Sequence, residues 1–137
     1  MRAILMLPLP WLLLLNAVAA EPPMKGLPII EIENVPTKPT VFQDATRKKP
    51  LIFRKAEEAA KYFEEKPFAA LKKKADFDSH MVLVFAWHGS GQDKITYRIA
   101  ESYPEQITFE YQPGRTRDYR PHVRIYALRK NVQWTVN

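Results

Sequence analysis

Cysteine is absent from the 137 residues. That excludes a disulfide framework and a lipidated N-terminal cysteine. The fold must rest on an ordinary apolar core. Also missing are a phosphate-loop sequence, a dinucleotide-binding fingerprint and any internal repeat. Histidine is scarce: His80, His88 and His122 are the three. His80 and His88 bracket one apolar run, and an extended chain at ~3.3 Å per residue holds them about 26 Å apart, too far to share an ion. His88 and His122 with Asp93 or Asp118 form an incomplete ligand set. No metal and no other cofactor is expected. Acidic residues are outnumbered, 15 against 21 Lys and Arg, for a formal net charge of +6. A basic chain suits anionic polymers, lipid head groups or acidic proteins as partners, although solubility with scattered charge is the simpler account.

The first twenty residues stand apart. Arg2 supplies a small positive start, an apolar run follows, and Ala17-Val18-Ala19-Ala20 supplies small residues of the signal-peptidase type. The run is short for a membrane span and holds Pro8 and Pro10. A cleaved secretory signal at 1–20 is expected, cut after Ala19 or Ala20. The expected location is exported: periplasmic, cell-envelope or secreted. The membrane is met only through that segment before cleavage. Residues 21–50 carry repeated prolines and read as an extended arm. Within it Ile30 and Ile32 alternate with Glu31 and Glu33, the pattern of a short edge strand. Val41-Phe42 is an anchoring contact. Residues 51–137 read as one globular domain.

Within that domain the period changes twice. Ala56, Ala59, Ala60 and Phe63 recur at helical spacing and predict a helix over 55–65. Pro67 fits the first turn of a second, shorter helix, with Phe68 and Leu71 inward and Lys72, Lys73 and Lys74 in water. Residues 81–87 are then all apolar, as in a strand buried on both faces. Alternation predicts further strands over 94–100, 107–112 and 122–129, and Trp134-Thr135-Val136 suits a last edge strand. The connections are too short for parallel crossovers. The expected fold is therefore α+β: one or two N-terminal helices packed on a mainly antiparallel meander sheet of about four to six strands. In a meander, loops 88–93 and 113–121 share one end of the sheet.

Those two loops hold the candidate chemistry. The first offers His88, Ser90, Gln92 and Asp93, and the second Arg115, Arg117, Asp118, Tyr119, Arg120 and His122. Arg117 and Arg120 suit forked hydrogen bonds to an acidic group, Gln92 adds hydrogen bonding, and Tyr119 adds apolar area. The structural alternative makes Asp93 and Asp118 internal partners of these arginines, clamping the loops. A hydrolase built on Ser90, a histidine and an aspartate has permissive residue types. Yet His88-Gly89-Ser90-Gly91 is not the Gly-x-Ser-x-Gly elbow, and no helical pattern follows Ser90. Nucleic acid is not expected, since no recognised motif accompanies the basic and aromatic residues.

Asp76-Phe77 before a buried strand, Met81-Val82-Leu83-Val84 in it, a loop beginning near Gly89, and Pro121-His122-Val123 opening the last strand complete a pattern. Over residues 76–129 it resembles the C-terminal domain family named for the protease-complex subunit PrcB. The family's Gly-Gly-Tyr-like element is replaced here by Gly91-Gln92-Asp93. The resemblance implies a small β-rich exported module that assists or binds another protein, and it implies no catalytic residues. The expected function is a non-enzymatic exported binding module. Its surface would comprise Gln92, Asp93, Arg117, Tyr119, Arg120 and His122, and its partner would be another exported or envelope protein or an anionic ligand. A small extracellular hydrolase using Ser90, or a purely structural envelope protein, is the alternative.

Overall fold

In a computed structural model that describes residues 26–137, the chain is mostly β-structure, with seven strands in two sheets. The segment read as a signal peptide, and residues 21–25 of the arm, lie outside the described residues. The order is β1 (Ile29–Ile32), α1 (Val41–Asp44), β2 (Leu51–Phe53), α2 (Ala56–Ala59) with a 3-10 turn at Ala60–Tyr62, α3 (Glu65–Lys74), β3 (His80–Gly89), β4 (Lys94–Ala100), β5 (Gln106–Gln112), β6 (Arg120–Arg129) and β7 (Gln133–Val136).

β3 is buried on both sides, and its alternation decides which side chain goes where. Val82, Val84 and Ala86 join a cluster with Ile32, Val41, Ala59, Phe63 and Leu71. Met81, Leu83, Phe85 and Trp87 join a second cluster with Ile95, Ile107, Phe109, Tyr126 and Leu128. Each large apolar side chain taken from water contributes roughly 1.5–3 kcal/mol, so this strand is the main source of cohesion.

A single meander does not form. The first sheet has the order β1-β6-β3-β2, and the second β4-β5-β7. β3 pairs antiparallel with β6 from His80 opposite Arg129 to Gly89 opposite Arg120. The reason lies in β6. Ile125 and Ala127 face the first cluster, while Tyr126 and Leu128 face the second. Two strands apolar on both faces belong side by side where both faces are covered. β4 and β5 are apolar on one face only, and they form a covering sheet over that second cluster. The last strand lies at a sheet edge, as expected, but its direction differs. β7 pairs with β5, and in parallel, with Ile107 opposite Trp134. At the far end buried Arg129 pairs with Glu105, tying β6 to the turn between β4 and β5.

The proline-rich stretch supplies β1, which pairs with β6 at the sheet edge. It also buries Val35, Val41 and Ala45. The helical segments are brief. The expected 55–65 helix ends at Tyr62, because Phe63 turns extended (φ −132°, ψ 141°) and buries its ring. Pro67 stands in the first turn of α3, and Lys72, Lys73 and Lys74 fill its last turn. There their charge opposes the negative end of the helix dipole. Among the described residues no helix is long and apolar enough to cross a membrane.

Candidate functional site

β3 ends at Gly89 opposite Arg120, the first residue of β6. Residues 90–93 and 113–119 therefore meet at one end of the molecule. The two loops were expected to meet through a meander; the direct pairing of β3 with β6 is what brings them together. Their contact is a set of local hydrogen bonds. The Ser90 hydroxyl accepts from the N–H groups of Gln92 and Thr116, each at 3.2 Å, and shares a bond with the Thr116 hydroxyl. Gln92 Oε1 accepts from the Arg115 N–H at 3.3 Å. Asp118 accepts from the Thr116 hydroxyl, from the Gly91 N–H at 3.0 Å and from Arg120 Nε at 2.6 Å. The Thr116 hydroxyl, then the Gly91 N–H and the Arg120 charge, hold the Asp118 carboxyl down at about 2. A Cβ at position 91 would stand 2.3 Å from Asp118 Oδ2, so this approach requires glycine.

Asp93 is the centre of the loop end and is only 3% exposed. Its Oδ2 accepts from Trp87 Nε1 at 3.1 Å and from the Tyr111 hydroxyl at 2.8 Å. Its Oδ1 accepts from the Gly114 N–H at 2.7 Å. The expected pairing of both aspartates with arginines is thus half corrected. Asp118 pairs with Arg120, whereas Asp93 takes three neutral donors. Asp93 points between the sheets, where an indole and a phenol are at hand. Arg117 and Arg120 of the second loop stay exposed, with their charged heads in water. Burial pushes the Asp93 carboxyl up, but the Gly114, Tyr111 and Trp87 donors and the nearby His122 outweigh it, and the carboxyl sits below its ordinary range. The Tyr111 hydroxyl is raised, by burial and by the Asp93 charge. A Cβ at position 89 would lie 2.1 Å from Asp93 Oδ2, so Gly89 leaves the space this carboxylate fills.

His122 is buried and stacks on Trp87, with ring centroids 4.9 Å apart. Its Nε2 donates to the Ser90 carbonyl oxygen at 2.7 Å. A carbonyl only accepts, so Nε2 carries the proton. This corrects the expectation of His122 as a surface contact. It also places the three residue types of a hydrolase. Ser90 Oγ is engaged with Thr116, His122 with the Ser90 backbone, and Asp93 with Trp87, Tyr111 and Gly114. Among the described residues no His, Cys, Asp or Glu trio could hold a metal ion.

The outer side of the same end is different. His88 stacks on Tyr119, with ring centroids 5.3 Å apart, and meets the Phe42 ring at a tilt of 42°, at 4.5 Å. Tyr119 is 77% exposed. Arg117 is exposed, and the Arg120 side chain remains 69% exposed despite its bond to Asp118. Gln92 is exposed with its amide oxygen committed to Arg115.

Sequence reasoning missed a second basic element here. Thr46 Oγ1 accepts from the N–H groups of Lys48 and Lys49, closing a turn that displays Arg47, Lys48 and Lys49. The Arg47 guanidinium lies 4.3 Å from the centre of the Tyr111 ring. A groove of about 270 Å³ follows, lined by Phe42, Thr46, Arg47, Trp87, His88 and Tyr119 among others. The available signal was the basic triplet next to the Val41-Phe42 anchor. Comparison with protein-family models, with curated proteins and with solved structures finds no match.

Proposed function

We propose that the protein is an exported, non-enzymatic binding module that receives an acidic protein partner on its loop end. One observation carries the reading. Tyr119 is 77% exposed yet held flat on His88, between exposed Arg117 and Arg120. An ordered exposed aromatic flanked by arginines is the composition of an interface anchor. The division of labour around it supports the same view. Ser90, Asp93, Asp118 and His122 spend their polar groups closing the loops, while Arg117 and Tyr119 are exposed. Export rests on the N-terminal segment, and the resemblance of residues 76–129 to the PrcB C-terminal domain family agrees with a protein-binding role. In this reading the short N-terminal helices are a layer over the outer face of the first sheet, and binding leaves the core untouched.

The test is binding of the purified protein to immobilised polyglutamate at low and moderate salt. Arg117→Ala/Arg120→Ala should weaken capture about tenfold or more, as expected for losing interfacial arginines. Capture unchanged by the double substitution would reject this surface.

A further inference from the structure

We infer that the groove beside Tyr119 seats one apolar side chain of an acidic peptide segment, so that the partner is read by an apolar residue flanked by carboxylates. This rests on the proposed binding role and specifies its partner. β2 pairs with β3 only from Val82 to Val84. Beyond Val84 that flank of β3 is met by Phe42 and the 46–49 turn, and the groove opens there. Its lining includes Phe42, His88 and Tyr119, with Ala86 and Trp87 from β3. At about 270 Å³ it is smaller than the usual 300–1,000 Å³ small-molecule site. It suits one side chain on a chain that continues past both ends.

The surroundings of the groove are basic. Arg47 lines it, Lys48 and Lys49 are exposed in the same turn, and Arg117 is exposed two residues from Tyr119. Of the acids nearby, Asp118 pairs with Arg120 and Asp93 is buried, while Asp44 keeps its charge as it accepts from the Tyr62 hydroxyl at 2.8 Å and is outnumbered by the turn. A partly apolar groove beside this basic turn complements a peptide whose apolar residue has acidic neighbours. The basic residues supply attraction and on-rate, and the groove supplies selectivity. A uniformly acidic chain would use the basic residues alone.

Fluorescence anisotropy with three labelled probes of equal charge tests this: an acidic peptide with a central leucine, the same peptide with serine in its place, and an oligo-dT. The leucine peptide should bind at least tenfold tighter than the serine peptide. Tyr119→Ala should abolish that difference, while Arg47→Glu weakens both peptides; unchanged circular dichroism establishes that each variant is folded. Equal binding of the two peptides overturns the groove assignment and leaves the acidic-partner reading standing. Tighter binding of oligo-dT overturns the peptide assignment. No binding of either peptide overturns both readings.

Discussion

Asp93 is the residue on which the loop end turns. Its carboxylate is sealed from water and satisfied by three donors from three parts of the chain: Trp87, Tyr111 and Gly114. Asp93→Asn keeps the shape but sets an amide N–H₂ or a single oxygen against donors that all need an acceptor. Chemical unfolding should show a loss of about 1–3 kcal/mol at neutral pH, the range for a buried donor left unpaired. The Trp87 indole N–H resonance should move with it. The sign of the pH effect follows from the depressed carboxyl. Its stabilisation is full above the unfolded pKa, near 3.9, and is lost as pH falls through the lower folded value. The gap between wild type and Asp93→Asn should therefore be widest near neutrality and narrow below about pH 4. A gap that widens in acid would contradict this role. The importance of Asp93 was legible from its place after an apolar strand. Its partners were not, because charge pattern suggests arginine while burial selects Trp87 and Tyr111.

At the scale of elements, the β3–β6 pair carries the molecule. β3 was readable because seven consecutive apolar residues, 81–87, leave no wet face. β6 is harder to read, because Val123, Ile125 and Ala127 give it the look of an alternating strand while Tyr126 and Leu128 make its other face apolar as well. Counting both faces would have paired β6 with β3 and sent the one-sided strands to a second layer. Phe85 is fully buried between the sheets, 5.1 Å from Phe109 and 6.0 Å from Tyr126 by ring centroids. Phe85→Ala should cost about 3–5 kcal/mol through lost burial and an unfilled cavity. Hydrogen exchange should quicken more at β4 and β5 than at the β2–β3 pairing, since the lost ring faces the second sheet. Ile99, 40% exposed near the end of β4, should tolerate alanine with under about 1 kcal/mol lost. An equal penalty at both positions would contradict the two-layer account.

Across the whole molecule, the core and the loop network are spent on folding, and what remains at the loop end is basic and aromatic. The meeting of loops 88–93 and 113–121 was legible from strand direction. The basic turn at Arg47 was not, because nothing in the local sequence says that residues 46–49 arrive beside Tyr119; that placement depends on Phe42 reaching His88. A rival basic patch exists at Lys72, Lys73 and Lys74 on α3, a solvated helix end without an exposed aromatic in its triplet. The most direct measurement is an amide chemical-shift titration of the protein with an acidic peptide. The account predicts that the shifts gather at Arg47–Lys49, at His88 and at Arg115–Arg120, with Tyr119 among the largest. Shifts centred on Lys72–Lys74 or on the outer face of β4 and β5, with the loop end silent, would contradict it.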